Sequence, residues 1–243
     1  MSSAFVGCAG WSIPSRLASE FPGSGTHLER YAARFNAVEV NSSFYRLHRR
    51  ATYDRWAGAT PDDFRFAVKL PRAITHERRL QDAAAPLGEF LDSVAGLGGK
   101  LGPLLVQLPP SLEFAAATAR RFFQAMHKRT PARIVCEPRH ASWFSSEATE
   151  LLESSTVARV VADPQPIQIT TSTEPRAAMR YFRWHGSPKI YYSAYDAQQL
   201  AELEDRARFA LQHQQTCWCI FDNTALGAAL ENGLELTARL AAV

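Results

Sequence analysis

Short apolar runs recur along the chain, and nearly every one ends in a charged or amide residue. They begin near positions 5, 37, 64, 104, 133, 159, 181 and 217, a mean step of about 30 residues, the size of one βα unit. Between them, apolar residues repeat at helical spacing over 28–35, 87–97, 114–126, 198–211 and 225–240. Strands alternating with helices predict a parallel sheet. A buried strand can carry a polar group only where it emerges. Eight strands that do so at the same end predict an α/β fold, a single (β/α)8 TIM barrel over residues 1–243 with its site at the C-terminal face. Three long βα loops make it irregular: 10–26, with Pro14, Pro22, Gly23 and Gly25; 71–86, charged; and 163–180, with Pro164, Pro166, Pro175 and several threonines.

Composition narrows the picture only a little. Apolar residues make up 46% of the chain and charged residues 21%, which argues for a packed core and against disorder. The net charge of +3 permits an anionic ligand but is far weaker than the concentrated charge of most DNA binders. No run approaches the roughly 20 apolar residues of a membrane span. The first residues, Met1-Ser2-Ser3-Ala4, lack the pattern of a signal peptide, so the expected location is cytoplasmic, with no membrane partner. Cys8, Cys136, Cys217 and Cys219 all fall inside predicted strands and are expected as reduced core thiols. Cys217-Trp218-Cys219 lacks a second pair at zinc spacing, so no structural metal is expected there.

Strand alternation sorts the candidate chemistry. In 37–41 the two valines share one face and Glu39 and Asn41 the other, so Glu39 and Asn41 should look inward. Lys69 shares a face with Ala67, and Arg183 with His185, while Gln107, Glu137 and Asp163 end their strands. One mouth is thus expected to gather these groups. A barrel interior can hold such residues merely as mutually satisfied pairs, but so many ionisable groups together cost desolvation unless a ligand offsets it. Glu39 and Glu137 are candidates for a general acid and base. Lys69 is a candidate base, Schiff-base nucleophile or anion ligand. His185 is a candidate proton carrier, with Arg183 to hold an anion. Asn41, Tyr45, His76, Gln107, Arg139, His140, Asp163, Tyr195 and Asn223 are candidate substrate contacts. The run His76, Arg78, Arg79 suits phosphate or carboxylate, or equally a solvated surface. His48, beside Arg49 and Arg50, is expected at the surface. Trp11 and Trp143 are expected to pack under the loops, and Phe44, Tyr191 and Tyr192 to wall a pocket.

Several segments carry a family resemblance. They are 7–12 (Gly-Cys-Ala-Gly-Trp-Ser), 35–45 (Phe-Asn-Ala-Val-Glu-Val-Asn-Ser-Ser-Phe-Tyr), 66–71 (Phe-Ala-Val-Lys-Leu-Pro) and 74–76 (Ile-Thr-His). Further matches are 107–111 (Gln-Leu-Pro-Pro-Ser), 137–143 (Glu-Pro-Arg-His-Ala-Ser-Trp), 183–186 (Arg-Trp-His-Gly) and 221–223 (Phe-Asp-Asn). In these segments and their order the chain resembles the YecE-like family, a domain of unknown function (72). The resemblance implies one TIM-barrel domain and a pocket at the residues above, and it supplies no reaction. The chain departs from the pattern at His48, where proline is expected, and in a less aromatic stretch between Trp11 and Leu28.

Three functions remain open. The first is an acid–base enzyme (a hydrolase, lyase or isomerase) that binds a small-molecule or phosphate-bearing anionic substrate and needs no cofactor. The second is a divalent-metal phosphodiester hydrolase resembling endonuclease IV-type barrels, with Glu137, Asp163, His185 and Asp222 as ligands. Strand parity counts against it, because Asp222 shares a face with Trp218 and Ile220, and Lys69 and Arg183 would compete with a cation. The third is a non-catalytic binder of nucleic acid or a phosphorylated metabolite.

Overall fold

The computed structural model describes residues 4–165 and 178–242. Among the described residues nine strands run β1 (Ala4–Cys8), β2 (Ala37–Val40), β3 (Arg65–Lys69), β4 (Leu101–Gln107), β5 (Ile134–Glu137), β6 (Val157–Arg159), β7 (Val161–Asp163), β8 (Met179–Trp184) and β9 (Thr216–Phe221). Between them lie α1 (His27–Ala32), α2 (Arg50–Gly58), α3 (Ala84–Val94), α4 (Ala116–His127), α5 (Ser146–Ser154), α6 (Ala197–Gln212) and α7 (Ala228–Ala241). The sequence pattern misses α2 and α5. Helix α2 buries Tyr53 alone, too little for a periodic signal. Helix α5 is short and announced chiefly by its N-cap, the Ser145 side chain accepting from Ala148 N–H. Pro166, Pro175 and the threonines of the loop after β7 lie outside the described residues.

The expected closed ring is replaced by two parallel sheets, ordered β1-β9-β8-β7 and β2-β3-β4-β5-β6. Two local causes interrupt the ladder. The run read as one strand over 159–163 divides at Val160. Before it the chain pairs with β5, Val160 N–H reaches Cys136 C=O at 2.8 Å, and after it the chain pairs with β8. The second interruption falls between β1 and β2, which lie side by side but are joined by side chains. Asn36 accepts from Val6 N–H at 2.9 Å and donates to Ala4 C=O at 2.8 Å. The Tyr31 hydroxyl accepts from Cys8 N–H at 2.8 Å and donates to Ala37 C=O at 2.9 Å. The approach is so close that a Cβ on Gly7 would fall 2.0 Å from Ala37 O.

Alternation along the strands separates two cores. Outward residues such as Val38, Phe66, Val106, Phe182 and Cys219 pack with the helices. Inward residues form a second cluster of Ala37, Ala67, Leu105, Val135, Ala158, Val160, Met179, Tyr181, Trp218 and Ile220. Small side chains of the second sheet thus face large ones of the first. Trp218 stacks on Phe5 at 4.7 Å and on Tyr181 at 6.0 Å. It reaches β4, where a Cβ on Gly102 would meet its ring at 2.6 Å. The β3–β4 register shifts beside Gly102 and Pro103, the place where a strand tolerates a residue with no N–H. All four cysteines are free and buried.

Tyr31→Phe strips the buried β1–β2 join of a shared donor and acceptor, a loss of about 1–3 kcal/mol. In a chain of this size the melting temperature falls by roughly 2–4 °C per kcal/mol, read by calorimetry. Tyr45→Phe, at a residue 73% exposed, leaves it unchanged.

Candidate functional site

The inward parity that places Ala37, Ala67, Val135, Tyr181 and Ile220 in the interior carries on to the strand ends. There it delivers Glu39, Lys69, Glu137, Arg183 and Asp222 to one place, with His185 just beyond β8. Arg183, 1% exposed, is the hub. Its Nε lies 3.1 Å from both Glu39 oxygens and its Nη2 2.9 Å from Glu39 Oε1. Its Nη1 donates to Glu137 Oε2 at 3.0 Å, and Nη2 also meets Asp222 Oδ2 at 2.9 Å. The Tyr181 hydroxyl donates to Glu39 Oε2 at 2.8 Å.

A second tier is built on His185, which is fully buried. Its Nδ1 lies 2.9 Å from Asp222 Oδ2. Its Nε2 lies 2.9 Å from both Glu137 Oε1 and Arg139 Nη2, and Arg139 Nη2 also bonds Glu137 Oε1. Nε2 therefore faces an acceptor and a donor at once: it donates to the carboxylate when protonated and accepts from the guanidinium when not.

These contacts set the charge states. Burial raises the Glu137 carboxyl, but Arg183, His185 and Arg139 outweigh it and hold the group well below the usual carboxylate range. Burial likewise opposes ionisation of Asp222, yet Arg183, His185 and Lys69 bring it down. Lys69 goes the other way. Burial and the nearby Arg183 lower its ammonium from 10.5 to about 8, against the pull of Glu39, Glu137 and Asp222. Its Nζ sits 4.1 Å over the Phe44 ring. Its main chain is fixed by the Ser43 hydroxyl, which donates to Lys69 C=O at 2.6 Å. His76 packs edge-on to the same Phe44 ring at 4.9 Å, and burial with Lys69 and Arg72 lowers its imidazolium.

The other candidates lie around this cluster in different roles. Gln107 stands beside Glu137 in register, and Asn41 follows β2 with its amide oxygen buried and, among the described residues, unpartnered. Tyr45 is exposed and packs on Phe44. His140 caps the turn after β5, its Nδ1 2.8 Å from Ser142 Oγ. Asp163 offers its main-chain oxygen to His185 N–H and to the buried Tyr195 hydroxyl, which also accepts from Gly186 N–H. Asn223 faces outward and donates to Ser193 O and to Asn232 Oδ1 on α7. In the loop after β3, Arg72 pairs with Glu77, and Arg79 donates to Ser111 in the loop after β4, so that run ties loops together.

Three expectations need correction. His48 is buried rather than superficial: its Nε2 lies 2.8 Å from Ser42 Oγ, and Trp56 and Tyr53 pack edge-on around it. Arg183 is no free anion ligand, since three carboxylates occupy its guanidinium. Asp222 is inward for the very reason that counted against it, because the face it shares with Trp218 and Ile220 is the interior face. Sequence reasoning passes over Tyr181 and Ser43. Tyr181 was signalled by its parity with Arg183. Nothing in the pattern signals Ser43, whose reach to Lys69 depends on the turn after β2.

Parallel sheets flanked by helices, with a buried carboxylate–guanidinium–imidazole cluster where the strands end, define the kind of protein. The chain belongs to the family described as "Protein of unknown function DUF72", whose pattern matches residues 5–243. It is similar to the UPF0759 protein YecE of Escherichia coli (strain K12), 30% identical over 67% of this chain and 60% of YecE. It is also similar to the UPF0759 protein YunF of Bacillus subtilis (strain 168), 25% identical over 96% of this chain and 93% of YunF. A DUF72 family protein from Thermotoga maritima MSB8 shares the fold, with a TM-score of 0.82 at 23% identity over 98% of this chain and 99% of its own.

Arg183→Leu leaves Glu39, Glu137 and Asp222 without their shared cation, which costs about 3–5 kcal/mol. The pH dependence becomes shallower as well. In the native chain Glu137 and Asp222 titrate below their unfolded values near 4.5 and 3.8, so their contribution is present above those values and lost on acidification. Without Arg183 the largest charge that lowers both carboxyls is gone, so the variant loses less stability on acidification than the native chain. Urea unfolding across pH reads both curves, and parallel ones would contradict the hub.

Proposed function

We propose that the chain is an enzyme that acts on an anionic small-molecule substrate by proton transfer, with Lys69 as the exchanging group. On this reading the two sheets are the halves of one interrupted (β/α)8 barrel, and the cluster lies at its C-terminal mouth. Support for the barrel comes from β1 lying against β2, from β6 running into β7 with only Val160 between them, and from the interior cluster that both sheets share. Active sites of such barrels sit where the strands end.

The observation that carries the chemistry is an asymmetry. Glu39, Glu137, Asp222, Arg183 and His185 all hold one another, whereas Lys69 has no hydrogen-bonded or ion-paired partner among the described residues. Satisfied carboxylates are poor general acids and bases. They serve better as a fixed field that keeps a proton poised on the amine. His185, backed by Asp222 and facing Glu137 and Arg139, can pass a proton between the two tiers. Arg139 is the cation best left for the substrate's anion, since its Nε is buried without a described partner and its side chain is 14% exposed. Proton transfer of this kind is common to hydrolase, lyase and isomerase reactions.

The divalent-metal alternative fits the residues less well. Glu137 and Asp222 must leave Arg183 before they can ligate, and among the described residues no three His, Cys, Asp or Glu are grouped to hold an ion. The non-catalytic reading, capture of nucleic acid or a phosphorylated metabolite, draws on the exposed Tyr45, Tyr191 and Tyr192, with Lys189 4.3 Å over the Tyr192 ring.

Acylation of Lys69 by an amine-reactive ester, followed by peptide mass spectrometry across pH, is expected to show a half-maximal rate near pH 8 rather than near 10.5. A panel of phosphate- and carboxylate-bearing compounds is expected to yield a substrate whose turnover Lys69→Met abolishes. A rate profile centred near 10.5, or turnover that survives the substitution, would overturn the assignment.

A further inference from the structure

The chain contains four lysines against 23 arginines. Three of the lysines sit in ordinary settings. Lys100 donates to Ala57 O and Thr60 O at 2.7 and 2.6 Å, Lys128 is exposed, and Lys189 lies on an exposed tyrosine. Lys69 differs in every respect. It is 6% exposed, its main chain is anchored by Ser43, an aromatic ring covers one side of its nitrogen, and no described oxygen accepts from it. It is also more accessible than Glu39, Glu137, Arg183, His185 or Asp222, which are at most 3% exposed. An arginine in its place would be permanently charged and unable to attack carbon. The setting is that of an amine held ready as a nucleophile, reachable from one side and kept from strong ion pairing.

We propose that Lys69 forms a covalent imine with an aldehyde or ketone substrate that carries a carboxylate or phosphate. The inference rests on the reading of Lys69 as the reactive amine and adds the substrate class. The neutral amine attacks the carbonyl carbon, a C–N bond forms, and the carbonyl electron pair moves to oxygen, which takes up a proton. The carbinolamine then loses that oxygen as water with a second proton, leaving a protonated imine. From the ammonium form, one ammonium and one carbonyl give one iminium and one water, with no oxidant or reductant. The iminium places a positive charge inside the field of Glu39, Glu137 and Asp222, the groups that already favour a cation on this nitrogen. Arg183 presses the other way, as it does on the ammonium, and exchanging ammonium for iminium leaves the charge of the site unchanged. At pH 7.5 roughly a quarter of such amines are neutral, against about one in a thousand of ordinary lysines. The substrate's anion falls to Arg139.

The test uses the intact chain with glyoxylate as probe and sodium cyanoborohydride to trap the imine, followed by peptide mass spectrometry. The three other lysines serve as internal controls. Lys69 is expected to gain one carboxymethyl group at least roughly tenfold faster than Lys128 or Lys189, with a rate that saturates in glyoxylate. Acetaldehyde, which lacks the anion, should give no saturation. Equal labelling of Lys69, Lys128 and Lys189 overturns the imine. Should the acylation profile of Lys69 still centre near pH 8 in that event, only the carbonyl substrate is lost. A profile near 10.5 removes the reactive amine as well.

Discussion

A guanidinium sealed among three carboxylates is the constraint on which the rest of this molecule depends. Arg183 cannot be buried alone, and neither can Glu39, Glu137 or Asp222. Each comes from a different strand or strand end, so satisfying the hub requires β2, β5, β8 and β9 to end at matching heights. The cluster works as a gauge for the register of both sheets. It also absorbs nearly all the charge the site contains, which makes the one amine outside the network conspicuous.

The interior beneath it follows a complementary rule. Large rings from the first sheet fill space left by alanines and a glycine in the second. Trp218 and Tyr181 form the floor under the charged tier, and a buried aromatic floor strengthens the coupling of the charges above it. The same stack orients the Tyr181 hydroxyl toward Glu39. Packing and electrostatics therefore meet in a single side chain.

Much of this was legible in the sequence. Strand positions, the inward parity of Glu39, Lys69 and Arg183, and their gathering at the strand ends all follow from period-two alternation and from where polar residues interrupt apolar runs. What was not legible has particular causes. Alternation says that Glu39 and Arg183 share an interior, but not that they bond, so a paired structural core and an open reactive site look alike. Asp222 was misplaced because the face it shares with Trp218 and Ile220 was counted against it, when that face is the interior one. The break at Val160 is one residue's change of partner inside a continuous apolar run, and the β1–β2 join depends on the side chains of Tyr31 and Asn36, which no strand pattern encodes. His48 was obscured by its charged neighbours in sequence, although Ser42 and two aromatic rings enclose it in space.

The join between β1 and β2 carries a consequence for how the chain assembles. The first strand takes its ladder from β9, near the far end of the polypeptide, and its other edge from two side chains that precede β2. Neither edge exists until those distant segments have been placed. The seat of β1 is therefore built from contacts distant in sequence, a late strand on one side and a borrowed hydroxyl and amide on the other, and closing it carries a large loop-closure cost.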